Sequence, residues 1–154
     1  LCKNVYERQQ KANELRTLLE KELAKAHIEA KFTWDIGATE NEMQEALLLI
    51  RQAQWRWDFG VSSHGGSFHA PQETMRILGH GLNKVFQARM LISKVLVAHG
   101  YTDNVPLPDI TTKEKAQQYI GLDMAVEKAD KDKFLKEIVP EWLQKAKANG
   151  RIVN

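Results

Sequence analysis

Two of the chain's five histidines stand in one short stretch, Ser63-His64-Gly65-Gly66-Ser67-Phe68-His69-Ala70-Pro71. Imidazole can ligate a metal, shuttle a proton or serve as an axial ligand, so the stretch is the first place to look for chemistry. A zinc site needs three or four ligands, and the chain has neither an HExxH motif nor a cysteine pair. Ser63 and Ser67 lack the Gly-x-Ser-x-Gly setting of a hydrolase nucleophile. If the segment is extended, His64 and His69 project to opposite faces, and one metal would reach both only in a folded loop. Axial ligation of a haem asks for less. One ring nitrogen must point along the porphyrin normal while the other is held in orientation. Phe68 can pack on a macrocycle edge, and Gly65 with Gly66 lets backbone approach a flat ligand closely. The plainer use of His69, a hydrogen bond to a backbone carbonyl in a tight loop, stands beside this one on residue chemistry alone.

The elements that must hold this stretch are helices. From about 4 to 30, Val5, Ala12, Leu15, Leu19, Leu23, Ala26 and Ala30 recur at helical steps, with charges opposite. Phe32 to Ala38 breaks the pattern around Gly37. Thr39-Glu40-Asn41-Glu42 reads as a capping box that opens a second helix. Met43, Ala46, Leu47, Ile50, Ala53, Gln54 and Trp57 line its inner side, and its end is expected near Asp58 to Gly60. Trp55 and Trp57 lie on different faces, so one of them is available to a cofactor, a partner subunit or the rest of a larger protein. Pro71 suits the first position of a third helix, which runs to about 99 before Gly100 stops it. Only Arg89 interrupts its apolar seam. An extended connector follows over Asp103 to Asp109, then a short helix opened by Thr111-Thr112 and ended by Gly121. A last helix runs from about Asp130 to Lys147 with a kink at Pro140. The fold class is all-α: long antiparallel helices plus a short C-terminal helical segment, with no sheet.

Composition narrows the function classes. Lys and Arg total 22 against 20 acidic residues, a net charge of +2, too small a field for nucleic acid. No apolar run is long enough for a membrane span. The single cysteine, Cys2, excludes a disulfide framework, a cysteine zinc site and a CxxCH haem-attachment motif within this sequence. Cys2 itself reads as a terminal bystander. His27 and His80 carry no special role, and the helix dipole accounts for His99. The chain opens directly in helix-like sequence, which suggests a cut or processed product.

With these residues in view, the sequence resembles the C-terminal helical part of the ammonia-forming cytochrome c nitrite reductases, a periplasmic pentahaem family. The stretches that carry the likeness are Gln54-Trp55-Arg56-Trp57-Asp58-Phe59, the whole of Ser63 to Pro71, Ala88-Arg89 and His99-Gly100. Pro108-Asp109, Thr112-Lys113, Ala116-Gln117 and Gly121-Leu122 continue it in order, and Phe68-His69-Ala70-Pro71 is the most specific part. The resemblance implies that residues 1–154 form a single C-terminal domain of a larger multihaem protein. It implies that His69 is the distal axial ligand of one bis-histidine haem iron. The haem c would be attached upstream in the parent and absent here, and calcium would belong to the parent only. No catalytic residue has a counterpart in this chain, so the fragment is expected to be inactive alone, while the parent reduces nitrite to ammonium with six electrons. A homodimer through the long helices and a redox partner cytochrome are also implied. His64 is left unassigned, with a loop hydrogen-bond donor role ranked ahead of an iron-ligand role. The rival is a cofactor-free helical dimerisation or interaction module.

Overall fold

The computed structural model describes residues 2–152, and side chains from residue 3 to residue 152; the expectation for the Cys2 thiol lies outside these. The fold is all-α, and the chain divides into two compact units, residues 1–107 and 108–154.

The first unit is built on three long helices, α1 (Cys2–Asp35), α2 (Glu40–Ser62) and α4 (Pro71–Ala98), with a one-turn helix α3 (Gly66–His69) between the last two. Their apolar stripes meet in one core around Leu19, Met43, Leu78, Val85 and Ile92, all essentially without solvent contact. Each such side chain contributes about 1.5–3 kcal/mol by leaving water, and this burial is the main drive for the helices to associate.

Two glycines set how closely the helices pack. A Cβ at Gly81 of α4 would stand 2.6 Å from Leu19 Cδ2 of α1 and 3.3 Å from Arg56 Cβ of α2. At Gly60 of α2 it would stand 2.8 Å from Leu78 Cδ2 of α4. Gly60 therefore lies inside α2, which runs two residues beyond the expected end because packing needs a side-chain-free position there. Helix α1 also outruns its expected end near residue 30, reaching Asp35. Tertiary contacts override the local break: the Phe32 ring lies 4.8 Å from that of Tyr101, and the buried Thr33 hydroxyl donates to the Glu29 carbonyl. Gly37, at φ 100°, then reverses the chain. The Thr39 and Glu42 capping box opens α2 as expected. Its hydrogen bonds, led by the one from the Thr39 backbone, hold the Glu42 carboxyl at about 2.

Arg89, the interruption in the seam of α4, is the ionic tie to α1. Its Nε and Nη2 donate to the two Glu29 carboxylate oxygens at 2.8 and 2.6 Å, and Nη1 donates to Glu22. Lys25 donates to the other Glu22 oxygen at 2.7 Å, so two cations and two anions balance across the interface. The Glu29 hydrogen bonds, acting against desolvation, push the guanidinium above its ordinary value.

The second unit has no buried residue among those described. Asp109 accepts from the Thr111 amide and hydroxyl and from Lys115, and the Lys115 bond is the main reason its carboxyl falls to about 2. Thr112 caps α5 (Lys113–Tyr119), and Asp123 caps α6 (Met124–Lys133). The last helical run thus starts at Met124, ahead of the expected Asp130, because Asp123 satisfies the Ala125 and Val126 amides. The kink expected at Pro140 takes the form of a π turn, Phe134–Ile138, leading into α7 (Val139–Ala148). Pro140 has no N–H to close an ordinary helical bond, and the widened turn absorbs that loss. Phe134 and Trp142 meet edge to face across it at 5.4 Å.

The packing sets three expectations for stability. Gly79 lies in α4, and a Cβ there would meet nothing within 4 Å, so Gly79→Ala is expected to stabilise by up to about 1 kcal/mol. Gly81→Ala should cost roughly 1–2 kcal/mol by overpacking Leu19. Urea midpoints that move in the same direction for both would show that the helices are not in close contact at Gly81. Arg89→Ala leaves Glu22 and Glu29 without their main partner and is expected to cost about 3 kcal/mol. A loss below about 0.5 kcal/mol in the same urea experiment would show the tie to be incidental, as exposed pairs are.

Candidate functional site

Gly65 turns the chain after α2. It sits at φ 85°, ψ −4°, a left-handed conformation that suits a residue without Cβ. Its carbonyl accepts from the amides of Phe68 at 3.0 Å and His69 at 2.8 Å, which winds Gly66–His69 into the helical turn α3. The segment expected to be non-helical is therefore partly helical, since the Gly65 geometry supplies the start of a turn. Gly66 lies against α4: a Cβ there would stand 3.1 Å from Ser63 Cβ and 3.3 Å from Thr74 Oγ1. Thr74 is buried, and its hydroxyl donates to the Ala70 carbonyl at 3.1 Å. Pro71 begins α4 as expected. The turn is thus fixed at both ends by the frame, while its middle faces solvent.

His69 lies at the end of that turn with its side chain exposed. Phe68 meets it edge-on, ring centroids 4.9 Å apart and planes at 86°. The Cδ2–Nε2 edge of the imidazole faces Gly65, with Cδ2 3.2 Å and Nε2 3.7 Å from where a Cβ would be. Neither ring nitrogen has a hydrogen-bond partner among the described residues, so the backbone-carbonyl use of His69 is not made. The accessible imidazole leaves a ring nitrogen open to an iron, whereas the partner expected to hold its other nitrogen is not made among the described residues. His64 comes to lie apart from this arrangement. Its amide donates to Ser62, but its exposed side chain makes no hydrogen bond among the described residues, contrary to the donor role expected of it.

The tryptophans divide as their spacing predicts. Trp57 packs against the core with its indole N–H buried, whereas Trp55 is 75% exposed. Trp55, Phe59, Ile77, Arg56, Arg76 and His80 line a surface groove of about 280 Å³. Arg76 there is engaged bidentately by Glu73 at 2.8 and 2.5 Å. A wider open groove of about 660 Å³ runs along α1 from Tyr6 to Lys21 and ends at Ser67; it holds no histidine. No three His, Cys, Asp or Glu side chains gather into a metal-holding group among the described residues.

Sequence reasoning missed two partnerships. His99 is more than a dipole complement: its Nε2 lies 3.1 Å from Glu42 Oε1, joining the end of α4 to the start of α2. Arg89 was visible only as an interruption. A lone arginine in an apolar seam is a signal that acidic residues face it, and Glu22 and Glu29, two turns apart on the same face of α1, were the candidates.

Residues 1–150 match the family described as cytochrome c552. Proteins named cytochrome c-552 from Bacteroides fragilis and Bacteroides thetaiotaomicron are 74% and 71% identical over 152 residues, and one from Porphyromonas gingivalis is 63% identical over 153. Each match covers 99% of this chain and 31% of the relative, so the chain spans about a third of the length of the curated relatives it matches. These matches correct the family drawn from the motifs. The stretches around Trp55 and His69 point to a C-terminal fragment of a pentahaem nitrite reductase, whereas relatives matching nearly every residue carry the cytochrome c-552 name. A cytochrome c implies haem c, and no described helix is long and apolar enough to cross a membrane. Matched over 150 of its 154 residues, the chain belongs to the cytochrome c552 family.

Proposed function

We propose that this chain presents His69 as the distal axial ligand of a c-type haem in a multihaem, periplasmic cytochrome of the nitrite-reducing kind. The observation that carries the reading is the exposed imidazole with both nitrogens unshared, held on the Gly65–Gly66 turn of a cytochrome c family member. Bound haem c supplies a reversible one-electron couple. Everything else falls to the chain's own side chains. The Gly65 carbonyl fixes the backbone of His69, Phe68 holds the ring edge-on, and Thr74 with Pro71 ties the turn to α4. His69 would hold the haem iron through one ring nitrogen, and the exposed ring leaves that nitrogen accessible.

The reaction of the whole protein is proposed as the six-electron reduction of nitrite to ammonium, with electrons delivered by a partner cytochrome. The family membership and the Phe68-His69-Ala70-Pro71 stretch support it. Self-association through the long helices is part of the same reading. Phe86, Met90 and Val97 of α4 are 45%, 64% and 59% exposed and lie along one flank of that helix, an apolar strip of the sort that partner surfaces cover.

In the intact haem-loaded protein, His69→Ala is expected to remove one low-spin bis-histidine signal from the electron paramagnetic resonance spectrum. An unchanged spectrum would favour a cofactor-free interaction module. Replacing Met90 with Glu is expected to shift the protein toward monomer in sedimentation at micromolar concentration. If wild type and variant sediment alike, the dimer contact lies elsewhere.

A further inference from the structure

Phe68 meets one side of the His69 ring, but no side-chain hydrogen bond reaches the imidazole among the described residues, so its orientation needs a second constraint. We propose that Gly65 is the positioning residue for His69, acting through the space its missing Cβ leaves beside the imidazole Cδ2; the inference rests on the axial-ligand reading above. Three observations converge on it. Gly65 sits at φ 85°, so it is the one residue of the turn whose backbone disfavours a side chain. A Cβ there would come within 3.2 Å of Cδ2, closer than ordinary contact, so the ring would have to turn away from its present orientation. Its carbonyl also accepts the His69 amide at 2.8 Å, so one residue sets both the backbone position and the orientation of the ring.

The geometry at Gly37 separates space from strain. Gly37 is likewise left-handed, at φ 100°, yet a Cβ there would meet nothing within 4 Å. Substitution at Gly37 therefore reports conformational strain alone. Asn tolerates the left-handed region better than other residues with side chains, so Gly65→Asn adds bulk beside the imidazole with the least backbone penalty.

The experiment titrates the chain into a ferric haem c peptide with one histidine ligand and one open axial position, and reads high-spin to low-spin conversion in the visible spectrum. Wild type and Gly37→Asn should convert the probe alike. His69→Ala should abolish conversion, and Gly65→Asn should weaken it about tenfold or more at unchanged helical circular dichroism. A nuclear Overhauser contact between Gly65 Hα and His69 Hδ2 in the wild-type chain is expected independently of any variant's folding. Loss with His69→Ala but wild-type conversion by Gly65→Asn would overturn the Gly65 role and keep the ligand role. Equal conversion by His69→Ala, or none by wild type, would overturn the axial-ligand reading and the Gly65 role with it. Absence of the Overhauser contact would overturn the Gly65 role directly.

Discussion

The close approach of three helices at Gly81 is the constraint on which the first unit depends. With Leu19 of α1 and Arg56 of α2 both reaching the side-chain-free face of α4, the interhelical spacing is set by backbone rather than by the size of side chains. Interiors at crystal-like density transmit such a constraint, because a displaced helix would open voids along its whole seam. Gly60 repeats the device between α2 and α4, one helical turn before the histidine stretch. The position of that stretch therefore follows from how tightly α2 and α4 are drawn together.

Register along those helices needs something directional, since apolar contacts tolerate sliding by a turn. The bidentate bonds from Arg89 to Glu29, the bond to Glu22 and the Lys25 pair provide it between α1 and α4. A partly buried ionic group of this kind adds little net stability compared with apolar side chains, but a mismatched register would strand its charges. The His99 and Glu42 contact does the same work for α2 and α4 at the opposite end from the turn. The second unit contrasts with this frame. It has helix caps, a π turn and an edge-to-face ring pair, yet no buried residue among those described. Its apolar residues Phe134, Trp142 and Leu143 are more than 40% exposed, so its helices owe more to local capping than to a core.

The candidate site uses the rigid frame sparingly. The turn is held against α4 at Gly66 and Thr74 and also meets α1, while the His69 side chain stands exposed. That division makes physical sense for a residue meant to meet iron held elsewhere. Burying the imidazole would demand protein partners for its nitrogens, and those partners would compete with the metal. Exposure with a constrained backbone leaves the lone pair free while limiting the orientations the ring can sample.

The sequence by itself determined the all-α class, the three long amphipathic helices, the Thr39 capping box and the helix start at Pro71. These follow from periodicity and from residues whose chemistry acts within four positions along the chain. It also singled out His69 and the glycine pair, because that stretch combines two imidazoles, adjacent glycines and a proline between two helical patterns. Tertiary structure alone decided the rest. Helix α1 continues past Phe32 because Tyr101, remote in sequence, supplies a ring to pack on. Helix α2 continues through Gly60 because Leu78 occupies the space beside it. Arg89 changes from an interruption into the ionic tie only when Glu22 and Glu29 are brought opposite it. The turn became helical, and the Nε2 edge of His69 came to face Gly65, through a left-handed backbone that residue types permit but do not impose. Interactions between residues far apart in the chain have no period to betray them, and a left-handed turn is set by backbone geometry that residue types only permit.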